Sequence, residues 1–421
     1  MPQIDLAYGQ DSLGFEFDAS RYQVLGSNAL TDSPLTDVEI GAALDSPFES
    51  QPLEEILLAS ESVLIVVSDA TRATGTAQIV NLLVRRIIQT GIAPQNIAII
   101  FATGIHRAVT DDEKRALLTP FIFQRIATVN HEAFNESRLA LLGETRNGTR
   151  VELSRALLDF SHVILTGGIG FHYFAGFTGG RKSICPGLAS AQTIESTHML
   201  ALDFAKGGRR AGVGTGKLDG NAVHEECDRI AEMISPAFGI NTVVDERGRV
   251  VSVLAGHWRT AHKYACEKYL ASRSVNIEAR RDVVVVSCGG SPYDINLIQA
   301  HKALDMAAQA CNEGGTILLV AECIEGLGRD DFLKWFDHEH SSVLADRLRF
   351  AYEVNGQTAW ALLTKAERYR VLLLSTLPDE QVKQMRMTPI HSIKEAVAKL
   401  DPASPGFILP RGAAWLPVIG R

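Results

Sequence analysis

Short runs of β-branched and aliphatic residues alternate along this chain with polar or glycine-bearing loops, and then with segments whose apolar positions recur at helical spacing. Val63–Val67 reads as a strand that ends in Ser68-Asp69-Ala70-Thr71-Arg72. A helix is predicted from about Thr76 to Thr90, with Ile79, Leu83 and Ile87 on one face and Gly91 as its stop. Asn96–Phe101 reads as the next strand and ends in Ala102-Thr103-Gly104-Ile105-His106. Thr110 and Glu113 have the spacing of a capping box that opens another helix. Val163–Thr166 is a third strand and runs into a long glycine loop. Strands alternating with helices imply βαβ units and parallel sheets buried on both faces.

The pattern breaks between about Glu267 and Asp282, in a charged stretch. A new strand is predicted at Val283–Ser287, then a Cys288-Gly289-Gly290 turn and a helix from about Asp294. Thr316–Val320 and Val371–Ser375 read as further buried strands. The expected fold class is therefore α/β, with two domains of largely parallel, helix-covered sheets and an active-site cleft between them. The boundary falls near residue 275, giving domains 1–274 and 275–421. The apolar, proline-bearing stretch from Leu409 to Arg421 is expected to pack back on the N-terminal domain.

Composition narrows this picture. A chain of 421 residues has volume for more than one core, at about 100–200 residues per domain. Hydrophobic residues at 46% and charged residues at 21% are close to the globular norm. A net charge of −8 argues against a nucleic-acid or anionic-membrane partner, because either calls for a basic face. An anionic small substrate stays open, since a few local cations override the global sign. No apolar run approaches the ~20 residues of a membrane span. The first residues lack the charged-then-apolar pattern of a secretory signal, and the six scattered cysteines form no CxxC pair. Reduced cysteines and a cytoplasmic location are the expectation.

In open α/β sheets ligands bind beyond the carboxyl ends of the strands. The unusual polar residues sit there: Asp69 and Arg72 after one strand, His106 after the next, His172 and Lys182 after the third. The segment from Gly167 to Ser183 combines glycines, aromatic residues, His172 and an Arg181-Lys182 pair. Glycines let backbone N–H groups approach an anion, and a lysine adds a point charge. Its order is neither a Walker loop nor a dinucleotide fingerprint. By itself, Asp69-Ala70-Thr71-Arg72 reads first as a turn with a local ion pair and only second as an anion clamp. His198 follows the glycine loop, and none of His106, His172 and His198 shows zinc-site spacing. His257, His262, His338, His340 and His391 default to surface roles, and His224 is placed to cap or orient a helix. Gln299 and Lys302, three apart, share a helix face where a donor and a cation suit a carboxylate, or simply face solvent.

Taken together, the SDATR and TGIHR turns, the stretch HYFAGFTGGRKSICPG, the THML histidine, the GNAVHEE segment and the DINLIQAHKAL helix resemble the nickel-pincer lactate racemase family over essentially the whole chain. The resemblance implies racemisation or epimerisation of a 2-hydroxy acid. It also implies a nickel pyridinium-3,5-bisthiocarboxylic acid mononucleotide, built with cofactor-biosynthesis proteins as partners. Sulfur donors and an imidazole in a square plane suit Ni(II). On that resemblance His198 is the nickel ligand, and Lys182 is the lysine able to join the cofactor covalently. Asp69, Ala70, Thr71, Arg72, Gly179 and Gly180 hold cofactor. Arg72, Gln299 and Lys302 hold substrate, and His106 and His172 are the paired acid–base histidines. The Cα hydrogen of a 2-hydroxy acid is very weakly acidic, so a hydride route through a planar 2-keto acid avoids the carbanion, with the histidines handling the hydroxyl proton. Closure would keep water from the keto acid. Ile298 stands where lactate-acting members commonly carry tyrosine, and Asn355–Trp360 departs from the usual Gly-x-His-Lys-Ala pattern. Both changes put lactate itself in doubt, and Ile298, by making one wall more apolar, favours a larger or more hydrophobic 2-hydroxy acid. The competing readings are a dehydrogenase or lyase using the same cofactor, and a non-catalytic cofactor carrier.

Overall fold

The computed structural model describes residues 1–27, 32–206, 208–337 and 340–420. The chain divides into two compact units. One comprises Thr31–Ala201 and Ala211–Tyr269, and is called the first unit below. The second comprises Met1–Leu30, Leu202–Arg210 and Leu270–Arg421.

The first unit is built on a six-stranded sheet. Its spatial order is Val250–Gly256, Phe238–Val244, His162–Gly168, Val63–Ser68, Ile97–Ala102 and Ala127–Asn130. Five strands are parallel, and Val250–Gly256 closes one edge antiparallel. Successive side chains of a strand point to opposite faces. Accordingly Val63, Ile65 and Val67 pack with Val80, Leu83, Val84 and Ile87 of the Thr76–Gln89 helix. Leu64 and Val66 face the other way, toward Leu165, Ile184, Leu188, Ile194 and Ile230. Each such fully buried aliphatic side chain contributes about 1.5–3 kcal/mol. The predicted strands and helix fall where the pattern puts them, and the Thr110–Glu113 capping box is present. The strand order reverses between Val63–Ser68 and His162–Gly168. That reversal opens a crevice at the strands' carboxyl ends.

The second unit has an all-parallel six-stranded sheet in the order Thr388–Ile390, Arg370–Leu374, Cys311–Val320, Arg281–Ser287, Gly406–Leu409 and Tyr22–Val24. Four features depart from the sequence expectation. The start of the chain belongs here, because Tyr22–Val24 pairs with Gly406–Leu409 and the backbone N–H of Gly9 donates to the buried Asp294 carboxylate at 2.8 Å. Such long-range pairing leaves no local trace in the hydrophobic pattern. The charged stretch before Asp282 is ordered, with a Thr260–Arg273 helix running into a Ser274–Ile277 strand. That strand pairs in parallel with Leu416–Ile419, so the tail is a strand of the second unit, where the sequence placed it against the N-terminal domain. Asp294 does not open a helix, because its carboxylate is spent on Gly9 and Glu322. The helix instead spans Leu297–Ala310, with Asn296 as its N-cap accepting from the Gln299 N–H at 3.0 Å. No helix among the described residues is long and apolar enough to cross a membrane.

Candidate active site at the strand ends of the first unit

The strand Val63–Ser68 delivers Asp69 into a tight turn whose backbone closes from the Arg72 N–H to the Asp69 carbonyl at 3.2 Å. Asp69 is buried, and its Oδ1 accepts from the Thr71 N–H at 2.9 Å and the Thr71 hydroxyl at 2.6 Å. Its Oδ2 lies 2.8 Å from Nδ1 of His106, which the next strand, Ile97–Ala102, brings alongside. Burial alone would raise the Asp69 pKa. The hydrogen bonds from His106 and Thr71 and the charges of His106 and Arg72 outweigh it and hold the carboxyl below its ordinary value. An ionised carboxylate only accepts, so Nδ1 of His106 carries the proton. Arg72 and the His106 side chain are exposed, while Ala70 packs against the core and offers the site only its backbone.

The loop after His162–Gly168 builds the other side. Gly176 has φ +80°, and a Cβ there would fall 1.9 Å from the Lys217 carbonyl oxygen. At Gly180, with φ +52°, a Cβ would strike the His262 ring at 2.4 Å. These glycines are therefore required by the loop's own packing, whatever it binds. Arg181, wholly buried, ties the loop down through the Ala175 carbonyl at 2.8 Å and His262 at 3.2 Å. His262 is thus a core residue rather than a surface one: burial and the Arg181 charge push its pKa down to about 3. His338 lies outside the described residues. The Gly104 N–H donates to the Gly187 carbonyl at 2.9 Å, so the His106 turn abuts the end of this loop.

Phe174 is the hub of the site. Its ring meets His172 edge-on at 4.5 Å between centroids, His198 at 5.0 Å and Tyr173 at 4.7 Å. The Lys182 ammonium lies 5.7 Å from its centroid. His198 is buried near the end of the Ala191–Met199 helix, and its Nδ1 lies 2.8 Å from the Ile194 carbonyl. Nδ1 must donate to that carbonyl, so the lone pair of the neutral ring is on Nε2. Burial first, then the charge of Lys182, lowers its pKa to about 3, so the ring is neutral at any physiological pH. Burial, with the like charges of Arg181 and Arg72, lowers Lys182 to about 8, against the opposing pull of the Cys227 and Cys185 thiols. His172 stacks on Tyr173, and its Nδ1 accepts from the Ala175 backbone N–H at 3.2 Å.

Of the candidates named from sequence, Asp69, Ala70, Thr71, Arg72, His106, His172, Gly179, Gly180 and Lys182 lie on these strand-end segments of the first unit, and His198 lies on the Ala191–Met199 helix of the same unit. Gln299 and Lys302 lie in the second unit, where they pair directly: the Lys302 ammonium donates to Gln299 Oε1 at 2.6 Å. Sequence reasoning missed Phe174 as a hub and Asn221 as its support. Asn221, not His224, caps the Ala222–Glu232 helix, and its side-chain amide also donates to the Phe174 carbonyl at 2.8 Å. An Asn directly before a helical pattern is the signal that could have found it.

A metal and an organic cofactor suit this donor set. Among the described residues no three His, Cys, Asp or Glu side chains cluster as a protein-only metal site. His198 could offer a metal one neutral imidazole. The imidazole is already oriented by its carbonyl partner, as ligating histidines generally are.

Family models describing the lactate racemase N-terminal domain and the lactate racemase C-terminal domain match residues 8–208 and 277–404. Among curated proteins, the lactate racemase of Thermoanaerobacterium thermosaccharolyticum is 30% identical over 406 residues, which cover 94% of either chain. The lactate racemase of Lactiplantibacillus plantarum is 31% identical over 336 residues, covering 79% of this chain and 77% of that one. The solved lactate racemase apoprotein from T. thermosaccharolyticum matches with a TM-score of 0.91 at 28% identity, covering 99% of this chain and all of that one (100%). A Thermotoga maritima structure matches at a TM-score of 0.67 and 20% identity, covering 93% of this chain and 100% of that one, a likeness of fold alone.

Proposed function

The chain belongs to the lactate racemase family, and on that premise we propose that it is a cytoplasmic isomerase that racemises or epimerises a 2-hydroxy acid with a nickel-pincer nucleotide. The observation that carries this reading is the gathering of His172, His198 and Lys182 around the Phe174 ring. A charge-coupled chain of Arg72, Asp69 and His106 stands beside it. When bound, the cofactor supplies a hydride acceptor and donor for Cα. Nε2 of His198 would hold the nickel. Lys182, whose lowered pKa leaves much of the amine neutral near pH 8, is suited to covalent attachment. Arg72, exposed at the turn, and the backbone of residues 69–72 and 179–180 are assigned to the cofactor's anionic groups.

His106 and His172 are assigned to the hydroxyl group whose proton must leave and return. Gln299 and Lys302, already a donor and a cation in one pair, are assigned to the substrate carboxylate. Ile298, half-buried beside them, favours a 2-hydroxy acid with a larger apolar side chain than lactate's methyl. Cofactor-building proteins are the expected partners. The test is to purify the protein from cells that make the cofactor, supply one enantiomer at a time from a series of 2-hydroxy acids, and follow the product by chiral chromatography. Conversion of either enantiomer to the same mixture is expected. Net release of a 2-keto acid without inversion, or no turnover of any member of the series, would overturn the reading.

A further inference from the structure

We infer that the turn of the chain's first hairpin, through the buried Asp294 carboxylate, sets the helix that presents Gln299 and Lys302, so that Gly9 and Asp294 are positioning residues that act on substrate through that pair. This inference rests on the functional reading above and deepens it.

In the second unit's sheet, Arg281–Ser287 has Cys311–Val320 on one side and Gly406–Leu409 on the other. Strand order therefore reverses at Arg281–Ser287, and an open α/β sheet keeps its ligand crevice at the carboxyl end of such a strand. Here the chain itself takes that place. Gln3–Tyr8 pairs antiparallel with Asp11–Glu16, and Gly9 lies in the turn between them with φ +58°. The Ser287 hydroxyl donates to the Ala7 carbonyl at 2.6 Å, and the Ser291 N–H donates to the Gly9 carbonyl at 2.8 Å. A Cβ on Gly290 would fall 2.8 Å from that same carbonyl oxygen, and one on Gly9 would fall 1.8 Å from Glu322 Oε2. The turn is thus seated against the segments that follow Arg281–Ser287 and Cys311–Val320.

Asp294 turns this seat into a position for the helix. Its side chain is inaccessible, and its Oδ2 accepts from the Gly9 N–H at 2.8 Å and from the Glu322 N–H at 3.1 Å. Oδ2 therefore joins the hairpin turn, the segment after Cys311–Val320 and the lead-in to Leu297–Ala310. Among the described residues Oδ1 has no donor, so losing the Gly9 N–H would leave a buried carboxylate on the Glu322 bond alone. Beyond Asp294 the lead-in is held by backbone bonds: the Cys323 N–H donates to the Asp294 carbonyl at 2.8 Å, the Glu325 N–H to the Ile295 carbonyl at 2.9 Å, and the Leu297 N–H to the Gly326 carbonyl at 3.1 Å. Asn296 then caps the helix at the Gln299 N–H. Gln299 and Lys302 share one face of the first turns, so a shift of the lead-in moves both.

The test is to measure KM and kcat separately in the loaded enzyme, with nickel content beside them. Asp294→Ala removes the acceptor. Gly9→Pro removes the donor and cannot take a positive φ. Each should raise KM for the 2-hydroxy acid about tenfold or more, with kcat and nickel per chain within about threefold, because a carboxylate contact is made equally in ground and transition states. Lys182 and His198 lie in the other unit. The double variant should be no worse than the poorer single one, since both break one contact. Asp294→Asn keeps a carbonyl oxygen for both N–H groups and should recover most of the loss. Gly9→Ala, which keeps the N–H but strains the turn, is the milder variant should Gly9→Pro fail to fold, and should raise KM about threefold. A merely structural role would move KM, kcat and nickel together. In the apoprotein, hydrogen exchange read by mass spectrometry should rise across residues 294–302 in the Gly9 and Asp294→Ala variants, and stay unmoved across residues 179–198. An unmoved KM in a folded variant, additive losses in the double variant, or exchange that rises in the hairpin alone would overturn the inference while leaving the functional reading intact. A wild type that turns over nothing would instead sink that reading, and the exchange measurement would still decide whether the hairpin sets the helix.

Discussion

Each unit of this protein draws a lysine out of water, Lys182 half-buried and Lys365 buried, and the two are set up in opposite ways. Lys365, on the Val354–Arg368 helix, has its ammonium 2.8 Å from Asp305, with both side chains almost inaccessible at 8% and 2%. Asp305 also receives Arg209 at 3.0 Å, and the Lys365 ammonium donates to the Ala361 carbonyl at 3.2 Å. Burial lowers the Lys365 pKa, and the Asp305 charge works against that shift. Lys182 has an aromatic ring, two thiols and two cations around it instead. The first arrangement keeps an ammonium as part of a buried ion cluster. The second leaves an amine whose charge is poorly supported, the state in which a lysine becomes a nucleophile. Burial is common to both; the neighbours decide which lysine is structural and which is chemical.

Removing the partner carboxylate should give the largest effect. Asp305→Asn leaves Lys365 and Arg209 facing an uncharged side chain, and should cost about 3–5 kcal/mol in urea unfolding. A loss under about 1 kcal/mol would mean the cluster is solvated and the comparison fails. The next contrast is chemical. At pH 8 about half of Lys182 should be the free amine, against well under about 1% of an ordinary lysine. Brief labelling of the apoprotein with an amine-acylating reagent should therefore modify Lys182 faster than Lys365, whose ammonium Asp305 holds, read by peptide mass spectrometry. Equal rates would erase the distinction.

Lys182→Met should act on stability in the direction opposite to Asp305→Asn. The folded pKa of about 8 lies below the ordinary 10.5, so the folded state resists protonation. Below pH 8 the wild type carries the whole cost of a poorly supported ammonium. That cost fades as pH rises from about 8 to 10.5, because the folded amine neutralises before the unfolded one. The variant should be more stable at pH 7 by about 1–3 kcal/mol, with the gain shrinking by pH 10. A gain that does not depend on pH would point to packing rather than charge.

Much of the scaffold was legible in the sequence. Val63–Ser68, Ile97–Ala102 and His162–Gly168 are continuous apolar runs because parallel strands are covered on both faces, and polar residues at their ends mark the crevice. The pairing of Tyr22–Val24 with Gly406–Leu409 and of Ser274–Ile277 with Leu416–Ile419 was not legible, since contacts across hundreds of positions leave no local period. At the site, residue types pointed to His106, His172, Lys182 and His198. Their hydrogen-bond polarity, which nitrogen donates and which accepts, depends on a carboxylate, a backbone N–H and a carbonyl that only folding brings into place. Asn221 was hidden for the same reason: its cap is a local signal, but its bond to the Phe174 carbonyl is not.

The most direct measurement is the nickel content of a preparation that racemises a 2-hydroxy acid, taken beside that of its His198→Ala variant. Nickel should co-purify with the wild type in proportion to its activity, and the variant should lose both together. A racemising wild type that holds no nickel, or a His198→Ala protein that keeps its full complement, would contradict the proposed function.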